Sequence, residues 1–465
     1  MRMRTQFDTI AAISTPPGKG GVALIRISGD GANGVAERVF QRASGKPYET
    51  IPPRVQCYGY IVDGDERIDD VLLTRFPAPN SYTGEDLVEI SCHGGILVTR
   101  TVLEAVLRCG ARAAEAGEFT RRAFIGGKLS LTEAEAIGSL LEAESREQLR
   151  LSSEPARRRL GERIEEIRRS LVELMSSMYA RIDYPDEDLG DFTDGELLTA
   201  LTETLGKAER LLSTYRTGRA VTEGIVTVLC GKPNVGKSSL YNLLVGEDAA
   251  IVTDVAGTTR DVLERSVPLG KVVLRLYDTA GIRDVGCADE IERIGIEKSR
   301  VMLEKCELLF AIFDSSRPYD AQDETLIKEI DRLSCAKIAL LNKSDRPSAF
   351  DEAILSRHFT QIIRISARDE ADTVEQLSAL VDRLFTDGSI NIGTDAVISS
   401  ARQHAELSLA AEYIGAAIES LRAGFPQDAV SGDVERAIGA ISRLDGRAVG
   451  EDIVADIFSK FCVGK

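Results

Sequence analysis

Apolar positions follow different rhythms along this chain. Up to about residue 120 they come in short runs bounded by Gly, Pro and Asn, at 10–13, 22–27 and 71–76, which predicts strands. Near Leu131 the spacing changes to a helical repeat that continues through charged and apolar segments to about residue 215. From about 222 to 385, strand-like runs at 225–230, 272–277, 338–341 and 362–365 alternate with helical ones, the pattern of a largely parallel sheet. Helical character returns beyond Gly388, over 401–421 and 432–460. The predicted architecture is multidomain, α+β and α/β. It has a strand-rich first domain (1–120), a helical domain formed by two separated segments (121–221 and 386–465), and an α/β module (222–385) inserted between them. Exposed loop tips accept such insertions most readily.

Candidate chemistry concentrates at the carboxyl ends of the strand-like runs. Gly231-Lys-Pro-Asn-Val-Gly-Lys-Ser-Ser239 follows the run 225–230 and opens a helix over 238–245, with the G-x-x-x-x-G-K-[ST] spacing of a phosphate-binding loop. Backbone N–H groups from Asn234, Val235 and Gly236 through Ser238 and Ser239, with the positive end of the helix, form a concave site for the β- and γ-phosphates. Lys237 adds a point charge, and the Ser238 hydroxyl is a Mg²⁺ ligand. Asp278-Thr279-Ala280-Gly281 ends the next run; it brings a carboxylate near Mg²⁺ and a glycine N–H to a γ-phosphate oxygen. Asn342-Lys343-Ser344-Asp345 is an N-K-x-D guanine reader: the Asp345 carboxylate accepts from guanine N1–H and the 2-amino group, which adenine lacks. Ser366-Ala367-Arg368 fits the last base-contacting loop. Each motif alone is a loop of turn residues. Four in this order, at the edge where open α/β sheets bind ligands, predict a Ras-like GTPase domain.

Ile282 follows Gly281 where Ras-like proteins place a water-orienting glutamine, so another group must hold the attacking water. The intervening loop Thr253-Asp254-Val255-Ala256-Gly257-Thr258-Thr259 belongs to the same GTP site, and Thr259 can complete the Mg²⁺ shell. Its oxygens, with Asn234, suit a hard monovalent cation that supplies the charge an arginine finger supplies elsewhere. The alternative is that these residues only stabilise the loop.

With 465 residues, the chain is long enough for about three domains. No apolar run reaches the ~18 residues of a membrane span, and the N-terminus lacks the pattern of a secretory leader; a cytoplasmic protein is expected. Eight cysteines without a C-x-x-C pair and three histidines suggest neither a disulfide framework nor a zinc site. A net charge of −17 opposes broad nonspecific contact with nucleic-acid phosphates. A nucleic-acid substrate would need a local basic patch or a partner's grip. The acidic run 183–196 lacks EF-hand spacing and reads as a solvated linker between helices.

Five separate segments carry a family resemblance: DTIAAISTPPGKGGVALIRISG (8–29), SYTGEDLVEISCHGG (81–95), AGEFTRRAFIGGKLSLTEAEAI (116–137), DVAGTTRD (254–261) and FCVGK (461–465). Over essentially the full chain they resemble the MnmE (TrmE) tRNA modification GTPases. The resemblance implies a homodimer that acts on tRNA in a heterotetramer with an FAD-containing partner, MnmG (GidA). It further implies addition of an aminomethyl or carboxymethylaminomethyl group to carbon 5 of the wobble uridine. The one-carbon unit comes from a 5-formyl or 5,10-methylene tetrahydrofolate. By position, Arg26, Glu85, Lys128 and Lys465 resemble the folate contacts; from the residues alone, Arg26 and Lys128 read as surface charges. Asn234, Thr253, Val255 through its carbonyl, and Thr258 match the K⁺ ligands; Ser238 and Thr259 match the Mg²⁺ ligands. Glu292 matches the glutamate that orients water, although the loop 283–291 is longer than in the family pattern.

Cys462 has two readings. Its thiol is a nucleophile if Lys465 or a helix end lowers its pKa, or it is a small hydrophobe in a packed tail; the resemblance implies a role near the modification site. The terminal C-V-G-K is no prenylation signal. A different class of function, a GTP-switched assembly protein acting on ribosomal RNA, needs no folate site, so the first 120 residues discriminate. A membrane-transport GTPase is disfavoured by the lack of a spanning segment.

Overall fold

The computed structural model describes residues 8–183, 193–246, 264–278, 305–366 and 368–464. Its contacts form two compact units, Met1–Leu141 with Ile164–Asp191 and Ala423–Lys465, and Glu142–Arg163 with Phe192–Arg422.

In the first unit the described residues form a seven-stranded sheet. Its strands are β1 (Ile10–Ile13), β2 (Val22–Ser28), β3 (Phe40–Arg42), β4 (Cys57–Asp63), β5 (Glu66–Phe76), β6 (Leu87–His93) and β7 (Arg112–Ala113), in the order β3-β4-β5-β6-β2-β1-β7. Only the β1–β7 pair is parallel. Alternation sets the faces: Ala23, Ile25 and Ile27 of β2 are buried while Leu24 and Arg26 are half-buried. This region also holds two helices that a strand-rich reading passes over, Ala32–Val39 and Ile96–Arg108. In the first, Ala32, Val35, Ala36 and Val39 recur at helical spacing and join Ile25, Ile61, Leu73, Ile90, Val102 and Val106 in one core.

The same unit adds helices Glu118–Ile125, Leu131–Leu141, Gln427–Asp445 and Glu451–Ser459. Leu131, Ala134, Phe458 and Phe461 form a further core with Phe124 packed against it. The helical run expected over 432–460 is therefore two helices. Gly446 ends the first at φ +93°, a left-handed conformation suited to glycine. A Cβ there would meet the Phe124 ring at 2.6 Å and Leu131 Cβ at 2.7 Å.

In the second unit the described strands are β8 (Ile225–Gly231), β9 (Glu264–Leu269), β10 (Val272–Asp278), β11 (Leu308–Asp314), β12 (Ala336–Asn342) and β13 (Gln361–Arg364). Their order is β13-β12-β11-β8-β10-β9, parallel throughout except for β9. The central β11, Leu-Leu-Phe-Ala-Ile-Phe-Asp, is buried at every position, as a parallel strand covered on both faces must be. Leu229, Leu274, Phe310 and Leu340 face one core, and Val228, Leu309, Phe313 and Leu341 the other. The acidic run ends in a helix start: Thr193 and Glu196 form a reciprocal capping box for helix Asp194–Ser213. Among the described residues no helix is long and apolar enough to cross a membrane.

Candidate functional site

Strand register brings the motifs to one edge. Ile312 of β11 pairs with Gly231 at the end of β8, Asp314 with Asn342 at the end of β12, and Leu229 with Asp278 at the end of β10. Beyond Gly231 the loop turns through Asn234, at φ +65°, and Gly236, at φ +104°, into helix Lys237–Val245. Val235 is buried in the sheet core, while Asn234, Ser238 and Ser239 are exposed. Lys237 Nζ folds over the loop and donates to the carbonyls of Gly231 (3.0 Å) and Lys232 (2.9 Å).

The N-K-x-D segment is fastened to the G-x-x-x-x-G-K-[ST] loop. Asn342, 2% exposed, donates from Nδ2 to the Val235 carbonyl at 2.8 Å, and Lys343 Nζ donates to the Asn234 carbonyl at 2.9 Å. A Cβ on Gly236 would lie 2.1 Å from Asn342 Nδ2, so only glycine lets the two loops meet. Asp345 accepts from Ser366 Oγ (3.2 Å) and Arg368 Nη1 (3.4 Å), and Thr373 Oγ1 holds the Ser366 carbonyl at 3.0 Å. Asn234, Asn342, Lys343, Asp345, Ser366 and Arg368 are thus brought together at one end of the sheet, Asn342 and Ser366 buried beneath the others.

Four supporting residues escape a motif-based reading. Lys343 also pairs with the buried Asp314 at the end of β11. Burial opposes ionisation of Asp314, yet Lys343 and Ser316 outweigh it and hold the carboxyl below its ordinary value. Lys232, inside the phosphate loop, bridges Asp320 and Asp323 at 2.7 Å each. Asp320 in turn caps helix Ala321–Ile330. A signal for Asp314 exists in the sequence: the apolar run 308–313 ends in Asp, as the run 272–277 does.

Thr253, Asp254, Val255, Ala256, Gly257, Thr258, Thr259, Thr279, Ala280, Gly281, Glu292, Ala367 and Lys465 lie outside the described residues, as does the side chain of Asp278.

In the first unit, three of the candidate folate residues surround the loop 77–86. Arg26 of β2 lies opposite Glu89 of β6 and bonds it at 2.8 Å, its guanidinium 5.6 Å from the Tyr82 ring centre. With its side chain 18% exposed and paired, Arg26 is no loose surface charge. Lys128 lays its stem over Gly84, whose added Cβ would be 3.2 Å from Lys128 Cγ, and donates to the Pro79 carbonyl at 3.0 Å. Glu85 accepts from the buried Ser28 at 2.9 Å and from Arg122 at 3.2 Å. Arg122 also pairs with Glu118, and Arg112 pairs with both Glu118 and Asp8. Burial works against ionising Glu118, but Arg112, the Glu115 amide and Arg122 prevail and hold its carboxyl down at about 2.

Residues 461–464 close onto the same unit. The Gly117 amide donates to the Cys462 carbonyl (3.3 Å), Val463 bridges Ala116, and Ser14 Oγ donates to the Gly464 carbonyl (2.9 Å). Cys462 itself is exposed, so it is not a small hydrophobe packed in the tail; Phe461 fills that role.

With a G-x-x-x-x-G-K-[ST] loop and an N-K-x-D segment bolted together on the carboxyl edge of a mostly parallel sheet, this is a P-loop GTPase. Residues 9–128 match the domain described as GTP-binding protein TrmE N-terminus, and residues 131–462 match the MnmE helical domain. The tRNA modification GTPase MnmE of Lactiplantibacillus plantarum is 37% identical over 100% of both chains. That of Clostridioides difficile is 38% identical over 98% of this chain and 99% of its own. A structure of an Aquifex aeolicus Era variant bound to GDP and AlF4⁻ shares 24% identity over 40% of this chain and 65% of that one, with a TM-score of 0.27. The chain belongs to the MnmE family of tRNA modification GTPases and hydrolyses GTP in tRNA modification.

Proposed function

We propose that this chain couples GTP hydrolysis to folate-dependent modification of carbon 5 of the tRNA wobble uridine. It acts in the cytoplasm as a homodimer with an FAD-containing partner of the MnmG (GidA) type. The functional division runs 1–120 for folate binding and dimerisation, 121–221 and 386–465 for the helical domain, and 222–385 for GTP hydrolysis. The observation that carries the reading is the gathering of Arg26, Glu85 and Lys128 about one loop. Glu85, with 15% of its side chain accessible, suits the N–H and amino groups of a pterin. Arg26, Lys128 and Lys465 offer cations for a glutamate tail. A tetrahydrofolate bound there supplies the one-carbon unit, and the exposed Cys462 thiol is the candidate nucleophile at the modification site.

In the GTPase unit, the loop amides from Asn234 to Ser239 and the Lys237 ammonium hold the phosphates, and Asp345 selects guanine. Ser238 and Thr259 would hold a Mg²⁺ that neutralises phosphate charge. Asn234, Thr253, the Val255 carbonyl and Thr258 would hold a K⁺ that supplies positive charge where it develops in the transition state. The exposed position of Ser238 and Asn234 on the loop supports both assignments. Glu292 orients the attacking water in place of the Ras-type glutamine. Titration of 5-formyltetrahydrofolate into the full chain and its Glu85→Gln variant is the test: saturable binding weakened by the substitution is expected, and no binding by the parent overturns the folate reading. For the cation, single-turnover hydrolysis should be faster in potassium than in sodium, and equal rates would remove it.

A further inference from the structure

Arg122 stands at the centre of a charge cluster that neither phosphate binding nor base selection uses. It lies on helix Glu118–Ile125 with its side chain 2% exposed. Nη1 donates to the Asp8 carbonyl at 2.8 Å and to Glu85 Oε2 at 3.2 Å, with Oε1 farther away at 3.5 Å. Nη2 donates to Glu118 Oε1 at 3.0 Å and Asp8 Oδ1 at 3.1 Å. A guanidinium is a rigid planar fork, so three bonds to Asp8 and Glu118 fix the direction from which it meets Glu85.

Glu85 is gripped more tightly at one carboxylate oxygen than at the other. Its Oε2 takes both Ser28 Oγ and Arg122, and the buried Ser28 Oγ is itself 2.7 Å from Thr83 Oγ1. The backbone is pinned as well, Ser81 Oγ donating to the Glu85 carbonyl and Thr83 Oγ1 accepting from its amide. Oε1 meets Arg122 Nη1 only at 3.5 Å, so it is the less tightly held oxygen and the one best placed to meet a ligand. Among the described residues, Arg122 is the cation paired with Glu85; Lys128, lying across Gly84, is turned to the Pro79 carbonyl instead.

We propose that Arg122 is a positioning residue for Glu85: with Ser28 it fixes the plane of the carboxylate so that the less tightly held oxygen, Oε1, is presented to the pterin. This rests on the reading of Glu85 as the pterin-binding group. A glutamate already locked in its binding rotamer loses no side-chain freedom when ligand arrives. Supporting partners of binding groups act on affinity by about tenfold or more, as those that orient metal ligands do.

The experiment is a double-mutant cycle on the full chain, read by calorimetric titration of 5-formyltetrahydrofolate. Arg122→Lys and the neutral Arg122→Gln are each made in the parent and in a Glu85→Ala background; two variants guard against one failing to fold. In the parent, each is expected to weaken binding about tenfold. In the Glu85→Ala background, where no carboxylate remains to be held, neither should weaken it further. Equal losses in both backgrounds would mean that Arg122 merely supports the unit and would overturn the positioning role. Absence of binding by the parent chain would instead overturn the folate reading itself and the inference with it.

Discussion

Replacing Gly236 by alanine strikes the point where the phosphate loop and the base-reading strand end come closest. The new methyl would lie 2.1 Å from Asn342 Nδ2, far inside van der Waals contact, on a backbone at φ +104°. Holding a residue with a Cβ in such a conformation costs ~1–3 kcal/mol. Asn342 cannot swing aside without giving up its buried bond to the Val235 carbonyl, and an orphaned buried group costs another ~1–3 kcal/mol. Gly236 belongs to neither apolar core of the GTPase unit, so the strain is released by shifting the loop rather than by unfolding the sheet. At the lower bound of about 2 kcal/mol, GDP and GTP affinity should fall roughly 30-fold. Titration with fluorescent guanine nucleotides measures this, alongside a thermal melt to show that the sheet is intact. An alanine variant binding both nucleotides within about twofold of the parent would refute the close fit of Gly236 against Asn342.

Three further outcomes are expected. Asp345→Asn should weaken GTP and improve xanthosine triphosphate binding, because the amide donates to the xanthine 2-oxo group; unchanged GTP affinity by calorimetry would sink the base-reader assignment. Lys232→Met strips the buried Asp323 of its cation and should lower stability by about 3 kcal/mol, seen as a drop in melting temperature. An unchanged melting temperature would show that the bridge is dispensable. Glu118 ionises at about 2 instead of an ordinary 4.5, so its contribution is full above pH 4.5 and is lost as pH falls toward 2. That depression is worth about 3 kcal/mol. Glu118→Gln should therefore melt well below the parent at pH 6, and the gap should close on acidification; a constant gap from pH 6 to pH 3 would show that the carboxylate is not the source.

The candidate GTP site is legible because each part is written in consecutive residues: Gly231 to Ser239, Asn342 to Asp345 and Ser366 to Arg368 each carry their spacing in one segment, and the preceding apolar runs reveal the strands. What joins them is not written locally. Lys232 meets partners 88 and 91 positions away, and Lys343 meets Asp314 29 positions away, so only the sheet order brings them together. Arg122 is an extreme case. In the sequence it is one of two adjacent arginines, and its part-buried contact with Asp8 spans 114 positions. Element boundaries failed where glycine geometry decides, as at Gly446, whose left-handed turn splits an uninterrupted helical repeat. Helix Ala32–Val39 was hidden by its brevity between strands.

The closure of residues 461–464 onto β1 has a consequence for biosynthesis. Ser14 and Gly464 are 450 positions apart, and the first unit is assembled from three stretches, 1–141, 164–191 and 423–465. At a translation rate of about 5–20 residues per second, Ser14 waits roughly 20–90 seconds for its partner. The intervening GTPase unit has its own cores and can fold while synthesis continues, whereas the unit bearing Arg26, Glu85 and Lys128 is completed only after residue 464 has left the ribosomal tunnel. Nascent chains should therefore acquire nucleotide binding before they acquire a finished N-terminal unit. A chain that stops short of residue 461 would be released with β1 and Gly117 lacking their last neighbours, a defect that proteases can read.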